Sequence, residues 1–290
     1  MSFIDFARNN GVDINPSKLY ASDKIQRCGT VNKPRSTNGS FFWDGRRGWV
    51  MDWSGDAMVI WYNDPNNKPW TPSEKKAWAE KRAAAADDQT VRYQRAADEA
   101  EVTFKRAEIA SHSYLKNKGF EDEKGFVLNK QLLIPMRNVV TNKLQGYQAI
   151  WWNSEARGYE KKMQYGMRAK NAVLYLGDRQ APEAWLVEGF ANGLTVRAAL
   201  KSVGIPAAVV VCFSASNMVQ VADQIKGFRY IFADNDESKT GEKAAIETGL
   251  PWTMPDKVGY DSNDMQFFDG LFSVVAKIMQ LRSMYLQKTG

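Results

Sequence analysis

From Glu183 to Pro255 short apolar runs alternate with segments whose apolar residues recur at helical spacing. AWLVEG, AAVVVCFS, FRYIFADND and LPWTMP read as strands, and FANGLTVRAALKSVG, SNMVQVADQIKG and SKTGEKAAIETG as the helices between them. Strands alternating with helices of this length predict βαβ units and a parallel sheet. The tail, Phe267 to Gln287, has helical spacing and is expected to close that sheet. In open parallel sheets ligands bind beyond the carboxyl ends of the strands. Glu188 falls at the end of the first run, Asp234 and Asp236 at the end of the third, and Asp261-Ser262-Asn263-Asp264 beyond the fourth. Alternate residues of an extended segment share a face, so Asp234 and Asp236 point the same way. Two such carboxylates repel each other unless a cation sits between them, and oxygen-only ligands suit Mg²⁺ or Mn²⁺. The other reading of Asp236 is an N-capping acid for the next helix.

The pattern before Glu183 differs. Between residues 113 and 177 come a Tyr-Leu-x-x-x-Gly opening, then LLIPMRN, a turn, LQGYQAIW, and a basic Glu160-Lys161-Lys162 segment. Residues 71 to 115 are rich in Ala, Glu, Lys and Arg, and Pro72 sits where a helix opens. This predicts a long charged helix with Asp87-Asp88 as the natural place for a break. Its apolar residues are too sparse for a coiled coil. Lys33 to Ala57 alternates aromatic and other residues in short runs, with Asn38-Gly39 and Asp44-Gly45 as hairpin signals. The expected division is an N-terminal antiparallel domain (1–65), a helical linker (66–112), a small α+β segment (113–182) and an α/β domain (183–290).

Composition narrows the chemistry. The chain of 290 residues carries a net charge of +6, which favours an anionic partner. No apolar stretch approaches ~18 residues, and the first residues lack a basic-then-apolar signal pattern, so no membrane association is expected. Two cysteines, Cys28 and Cys212, and one histidine, His112, cannot supply the four ligands of a zinc ribbon. The widely spaced cysteines fit a reducing cytoplasm. A Cys–His nucleophile is improbable with His112 on the linker, and no G-x-x-x-x-G-K-[ST] loop is present.

Glu-Gly after a strand, D-x-D after a later strand and a third acidic cluster together resemble a Toprim domain, over Glu183 to about Asp269. The resemblance implies a Toprim-type parallel core in which Glu188, Asp234 and Asp236 are catalytic and hold Mg²⁺ or Mn²⁺, with Asp264 or Asp261 from the third motif. The segment at 113–177 is similar to the subdomain that precedes Toprim in bacterial and phage primases. That likeness implies that Arg137 and Lys161 or Lys162 hold template and nucleotide. Lys33 to Ala57 resembles the template-binding domain of phage and plasmid primases, which often carries zinc. Without zinc ligands, Phe41, Phe42, Trp43, Trp49 and Trp53 would pack in place of the metal. Lys33, Arg35, Arg46 and Arg47 would then meet single-stranded DNA, unless they serve only solubility.

The function implied is a DNA primase of the phage or mobile-element kind in the bacterial host cytoplasm. It would join nucleoside triphosphates on a single-stranded DNA template, with a separate replicative helicase as a further partner. The rival readings are a Toprim nuclease, a non-catalytic single-stranded DNA-binding adaptor, and a generic doubly wound nucleotide-binding protein. A topoisomerase is disfavoured, because no tyrosine stands in a nucleophile's context.

Overall fold

The apolar runs after Glu183 are apolar on both faces, as strands covered on two sides must be. In the computed structural model, which describes residues 1–53, 58–62 and 71–289, they form β12 (Glu183–Val187), β13 (Ala207–Val211), β14 (Phe228–Phe232) and the short β15 (Trp252–Thr253). These pair in parallel in the order β13-β12-β14-β15. Alternation sends Trp185, Val187, Val209, Val211, Tyr230 and Phe232 into one layer. That layer is closed by α4 (Phe190–Ser202), α7 (Ser262–Asp269) and α8 (Leu271–Thr289). Ala184, Leu186, Val210, Cys212 and Ile231 point the opposite way, against α5 (Ala215–Ala222) and α6 (Thr240–Thr248). The result is a doubly wound sheet, α/β as expected. The chain moves outward from β12 in both directions, to β13 on one side and β14 on the other. That reversal is the switch point at which such sheets open a crevice.

The segment before β12 joins the same sheet. β11 (Ala172–Leu176) pairs antiparallel with β13 and with β8 (Gln131–Asn138). β8 continues to β7 (Gly125–Leu128) and β9 (Leu144–Asn153), and β9 to β10 (Gly158–Met163). β6 (Glu108–Ala110) pairs with β7, which completes ten strands. The α+β segment expected at 113–182, with its short α3 (Ser113–Asn117), is thus continuous with the parallel core through β11. Both lie in one compact unit, Ala83–Gly290.

The tail closes this unit as two helices, broken at Gly270, whose φ of 84° suits glycine. Arg282 of α8 donates to Glu183 Oε2 from Nε at 3.0 Å, while Trp185 Nε1 donates to Glu183 Oε1 at 2.7 Å. Both oxygens of this buried carboxylate are therefore satisfied, which ties α8 to the first parallel strand.

The other unit, Met1–Arg82, is built on a five-stranded antiparallel sheet. Its strands run in chain order: β1 (Val12–Asp13), β2 (Ser22–Thr30), β3 (Gly39–Trp43), β4 (Gly48–Asp52) and β5 (Ile60–Tyr62). α1 (Phe3–Asn9) lays Phe3 and Ala7 on one face against Val12, Ile14, Phe41, Val50 and Tyr62. Asp44-Gly45 makes the β3–β4 turn, with Asp44 Oδ1 accepting from the amides of Arg46 (2.8 Å) and Arg47 (2.6 Å). Asn38-Gly39 is not a hairpin tip. Gly39 lies within β3, where a Cβ would sit 2.3 Å from the Gly29 carbonyl oxygen. The expected boundary at residue 65 lies outside the described residues.

α2 (Pro72–Arg106) is 35 residues long and passes through Asp87-Asp88 unbroken. The flanking alanines and the alternating charges outweigh two adjacent acids. Its buried residues are Ala96 and Ala100, and Ala96 meets Met136 and Met167 in the second unit. Among the described residues no helix is long and apolar enough to cross a membrane.

Candidate functional site

Acids from three segments, Glu188, Asp234 with Asp236, and Asp261, act on one another beyond the ends of β12 and β14. Glu188 follows β12 directly, and its carbonyl accepts from the amide of Phe213 at 2.9 Å, so the end of β13 fixes its backbone. Its carboxylate makes no hydrogen bond among the described residues. Burial pushes its pKa up, the charge of Asp236 adds to this, and Lys161 opposes it.

Asp234 stands two residues beyond β14. Asn235 prolongs the extended chain by pairing with the 259–260 loop, its amide donating to Tyr260 O at 3.0 Å and its carbonyl accepting from Gly259 at 2.6 Å. Its side chain turns away to Pro255 O, so Asp234 and Asp236 are left on the other side. Asp234 Oδ1 accepts from Asn192 Nδ2 of α4 at 2.7 Å. Burial pushes its carboxyl up to about 8, and the charges of Asp261, Glu188 and Asp236 push in the same direction against Lys161.

Asp236 is held differently. Its carboxylate accepts from the Ser238 hydroxyl and from the amides of Thr240 (3.2 Å) and Gly241 (3.3 Å), so it folds back on the first turn of α6. Burial raises its pKa, but the hydrogen bonds from Ser238, Thr240 and Gly241 outweigh this and hold it below the usual carboxylate range. The N-capping reading is thus part of what Asp236 does. Gly241 is required here by close approach: a Cβ would lie 2.6 Å from the Asp234 carbonyl oxygen.

Of the third acidic motif, Asp261 is the member that acts on Asp234. Asp261 and Asp264 form a reciprocal cap at the start of α7. Asp261 Oδ1 accepts from the Asp264 amide at 2.8 Å, and Asp264 Oδ2 from the Asp261 amide at 3.3 Å. Asp264, the acid expected as a metal ligand, is therefore occupied by its own helix start. Burial raises the Asp261 pKa, and Lys118 is among the groups that lower it.

The strand phase of β10 separates the two lysines. Lys162 lies over Trp151 (5.5 Å to the ring centroid) and pairs with Glu160 at 3.4 Å. Lys161 points to the opposite face, 5.4 Å from the ring centroid of Tyr114, and its charge reaches Glu188 and Asp234. A second cation, Lys118, comes from the end of α3. Asn263, almost fully buried on α7, donates to the Lys118 carbonyl (3.0 Å) and to Thr195 Oγ1 (3.1 Å), which fastens this corner to the acidic edge. Sequence reading missed Lys118 because only the fold carries α3 to α7. Arg137 is not part of this group. It lies five positions along β8 from Leu132, the row that leads through Ile150 to Lys161, a distance of ~17 Å along the strand. There it donates to Asn142 O of the following turn at 3.2 Å.

As the side chains stand, no three His, Cys, Asp or Glu groups among the described residues converge on one metal position. The donors nonetheless fit Mg²⁺ or Mn²⁺ in the form such ions take with phosphates. Mg²⁺ keeps several waters and binds through one or two carboxylates plus substrate oxygens rather than in a closed protein cage. Glu188 has both oxygens free and Asp234 has one beyond its bond to Asn192. Burial raises both carboxyls, and the charge of Glu188 adds to the rise at Asp234.

In the first unit the expected aromatic packing holds for part of the set. Phe41 and Trp43 join the core, with Trp43 stacked on Phe3 at 4.5 Å. Phe42 and Trp49 stack on the opposite face of the sheet, and Trp53 is half exposed. Arg46 is paired with Glu74 at 3.2 Å, while Lys33 and Arg35 are exposed on the β2–β3 connection.

No protein-family model matches the chain, and no curated protein matches it. Among solved structures it is similar to the primase fragment of the bacteriophage T7 primase-helicase: 12% identity, TM-score 0.40, covering 88% of this chain and 99% of that one. It is also similar to the DnaG catalytic core (14% identity, TM-score 0.37, 72% and 74% covered). A third is a chain of the bacteriophage T7 assembly in which lagging-strand DNA polymerase interacts with primase domains bound to an RNA/DNA hybrid and dTTP (13%, 0.38, 61% and 91%).

Proposed function

We propose that the second unit is a Toprim-type DNA primase core, joining nucleoside triphosphates on a single-stranded DNA template. The observation that supports this reading is the meeting of Glu188, Asp234 and Asp261 at the switch point of the parallel sheet, with Lys161 entering from the preceding segment. Acids and cations so arranged suit a triphosphate, whose charge needs both metal and ammonium counter-charges.

In the proposed reaction the 3′-hydroxyl oxygen of the growing strand bonds to the α-phosphorus, the bond to the β-phosphate breaks, and pyrophosphate leaves. Mg²⁺ or Mn²⁺ would neutralise the triphosphate and lower the pKa of the attacking hydroxyl. Glu188, unbonded and with a raised pKa, is suited to accept the hydroxyl proton or to hold the ion. Lys161 and Lys118 contact phosphate oxygens. Asp236, held by its own turn, shapes the loop and adds charge.

The wider reading is a primase of the phage or mobile-element kind in a host cytoplasm. Its first unit is a zinc-free template-binding module, and a replicative helicase is a separate partner. The observation favouring a non-catalytic DNA-binding adaptor instead is the engagement of Asp236 by α6. Formation of short labelled products on single-stranded DNA, lost in Asp234→Asn, tests the catalytic reading against the adaptor.

A further inference from the structure

Tyr114 opens the Tyr-Leu-x-x-x-Gly stretch and is buried in the second unit, at 1% exposure. Its backbone is fixed on both sides. The Tyr114 amide donates to His112 Nδ1 at 3.1 Å, so the proton of that imidazole sits on Nε2, 3.1 Å from the Lys130 carbonyl oxygen. The Tyr114 carbonyl accepts from the Lys118 amide at 3.1 Å. Its hydroxyl, by contrast, is buried with no hydrogen-bond partner among the described residues. Burying an unpaired hydroxyl costs stability, and phenylalanine would fill the same space without that cost. The fold alone therefore does not account for a tyrosine at this position.

What surrounds Tyr114 is the acidic edge. Tyr159 and Lys161 are two residues apart on β10 and share a face. That face lies against Tyr114: the Tyr159 ring meets it edge-on at 5.2 Å between centroids, and Lys161 Nζ stands 5.4 Å from its centroid. The ring thus carries, by its π-face, the cation whose charge reaches Glu188 and Asp234. The ionic groups that act on the hydroxyl are Lys118, four residues further along the chain, and Asp261. Of these two only a carboxylate can accept a hydrogen bond. Burial pushes the Tyr114 hydroxyl up to about 12, with Lys118 opposing and Asp261 adding to the rise. It keeps its proton at neutral pH and is available as a donor. Asp261 is in turn the acid that acts most strongly on Asp234.

We propose that Tyr114 is a positioning residue of the acidic edge: its ring seats Lys161, and its hydroxyl is the donor that steadies the Asp261 carboxylate when a divalent cation is bound. The role of the hydroxyl rests on the metal-dependent reading of this edge, whereas the role of the ring does not. A ring edge-on to Tyr159 and a phenol facing an acid–lysine pair make one side chain serve both the cationic and the acidic half of the site.

Two substitutions in the full chain separate the two roles. Tyr114→Phe keeps the ring and removes the hydroxyl, and Tyr114→Leu removes both. Tyr114→Phe should melt at or above the wild-type temperature, since the fold loses only an unpaired polar group. Its affinity for Mn²⁺, titrated by electron paramagnetic resonance, should nonetheless fall by about tenfold or more, as when an outer-shell partner of a metal ligand is lost. Unchanged Mn²⁺ affinity in Tyr114→Phe would overturn the hydroxyl's role. The ring is tested without metal, by the ¹³C-methyl resonances of reductively methylated lysines, with Lys161 assigned through Lys161→Arg. The Lys161 signal should carry a ring-current shift that Tyr114→Phe retains and Tyr114→Leu loses, while Lys162, over Trp151, stays in place in both. A Lys161 signal unmoved in Tyr114→Leu would overturn the ring's role. Wild type that binds no Mn²⁺ and incorporates no nucleotide would refute the primase reading and the hydroxyl's role together, and the Lys161 resonance would still decide the ring. Wild type that binds Mn²⁺ and synthesises, with Tyr114→Phe its equal in both, would refute the hydroxyl's role alone.

Discussion

Asn192 donates its side-chain amide to Asp234 Oδ1 at 2.7 Å from a position only 2% exposed. The bond crosses from the first turn of α4 to the loop after β14, so it joins the two strand ends that flank the switch point. It occupies one carboxylate oxygen and leaves the other without a hydrogen bond among the described residues. Asn192 is thus a positioning residue. Asn192→Leu should lower both Mn²⁺ affinity and nucleotide incorporation by about 10- to 100-fold, the usual cost of losing an outer-shell partner of a metal ligand. Mn²⁺ titration followed by incorporation kinetics checks this; unchanged Mn²⁺ affinity would show that the bond is merely structural.

Asp234 makes the metal-free protein sensitive to pH. Its carboxyl rises from an ordinary 3.8 to about 8 in the folded chain, chiefly through burial. The folded state therefore keeps a proton that the unfolded state has lost, and stability falls as pH rises from about 4 through about 8. In chelator, Asp234→Asn should remove most of this slope and make the protein more stable than wild type above pH 8, by about 2–5 kcal/mol. Urea midpoints across pH 5 to 9 measure it. A wild-type curve as flat as the variant's would show that Asp234 is not under this strain.

Lys161 and Lys162 are neighbours in sequence on opposite faces of β10, and their substitutions should separate. Lys161→Ala should raise the KM for nucleoside triphosphate about tenfold or more, while Lys162→Ala, whose loss frees only Glu160 and Trp151, should stay within about twofold of wild type. The ranking follows from the phosphate contact proposed for Lys161, against the exposed pair in which Lys162 sits. Equal effects would mean that Lys161 does not reach the acidic edge.

Arg282 holds a buried carboxylate. Removing it in Arg282→Ala leaves Glu183 with an unmatched oxygen among apolar neighbours and should destabilise the chain by about 2–4 kcal/mol. Because Arg282 lies at the amino end of β12, away from Glu188, melting temperature should fall without a change in Mn²⁺ affinity for the folded protein.

The parallel half of the fold was legible because strands buried on both faces are continuous apolar runs, and Glu188 and Asp234 fall directly after them. What sequence left open was phase and reach. Nothing in Glu160-Lys161-Lys162 says which lysine faces inward until β10 is registered against β9 through Ile150. Arg137 is grouped with Lys161 by its charge but lies along β8 from it. Asp261-x-x-Asp264 has the spacing of a capping box, and that spacing by itself points Asp264 back to its own helix start. Lys118 had no such signal, since its place depends on Asn263, 145 residues away in sequence. In the first unit alternation was the missed cue: Phe41 and Phe42 are adjacent, so both cannot enter one core.

In the proposed reaction the acidic edge joins nucleotides on single-stranded DNA. Its most direct measurement is incorporation of labelled nucleotides on a single-stranded template with Mg²⁺ or Mn²⁺, wild type beside Asp234→Asn and Glu188→Gln. Short products made by wild type and lost in both variants are the predicted result. Template cleavage in place of synthesis, or bound template with neither product nor cleavage, would contradict it.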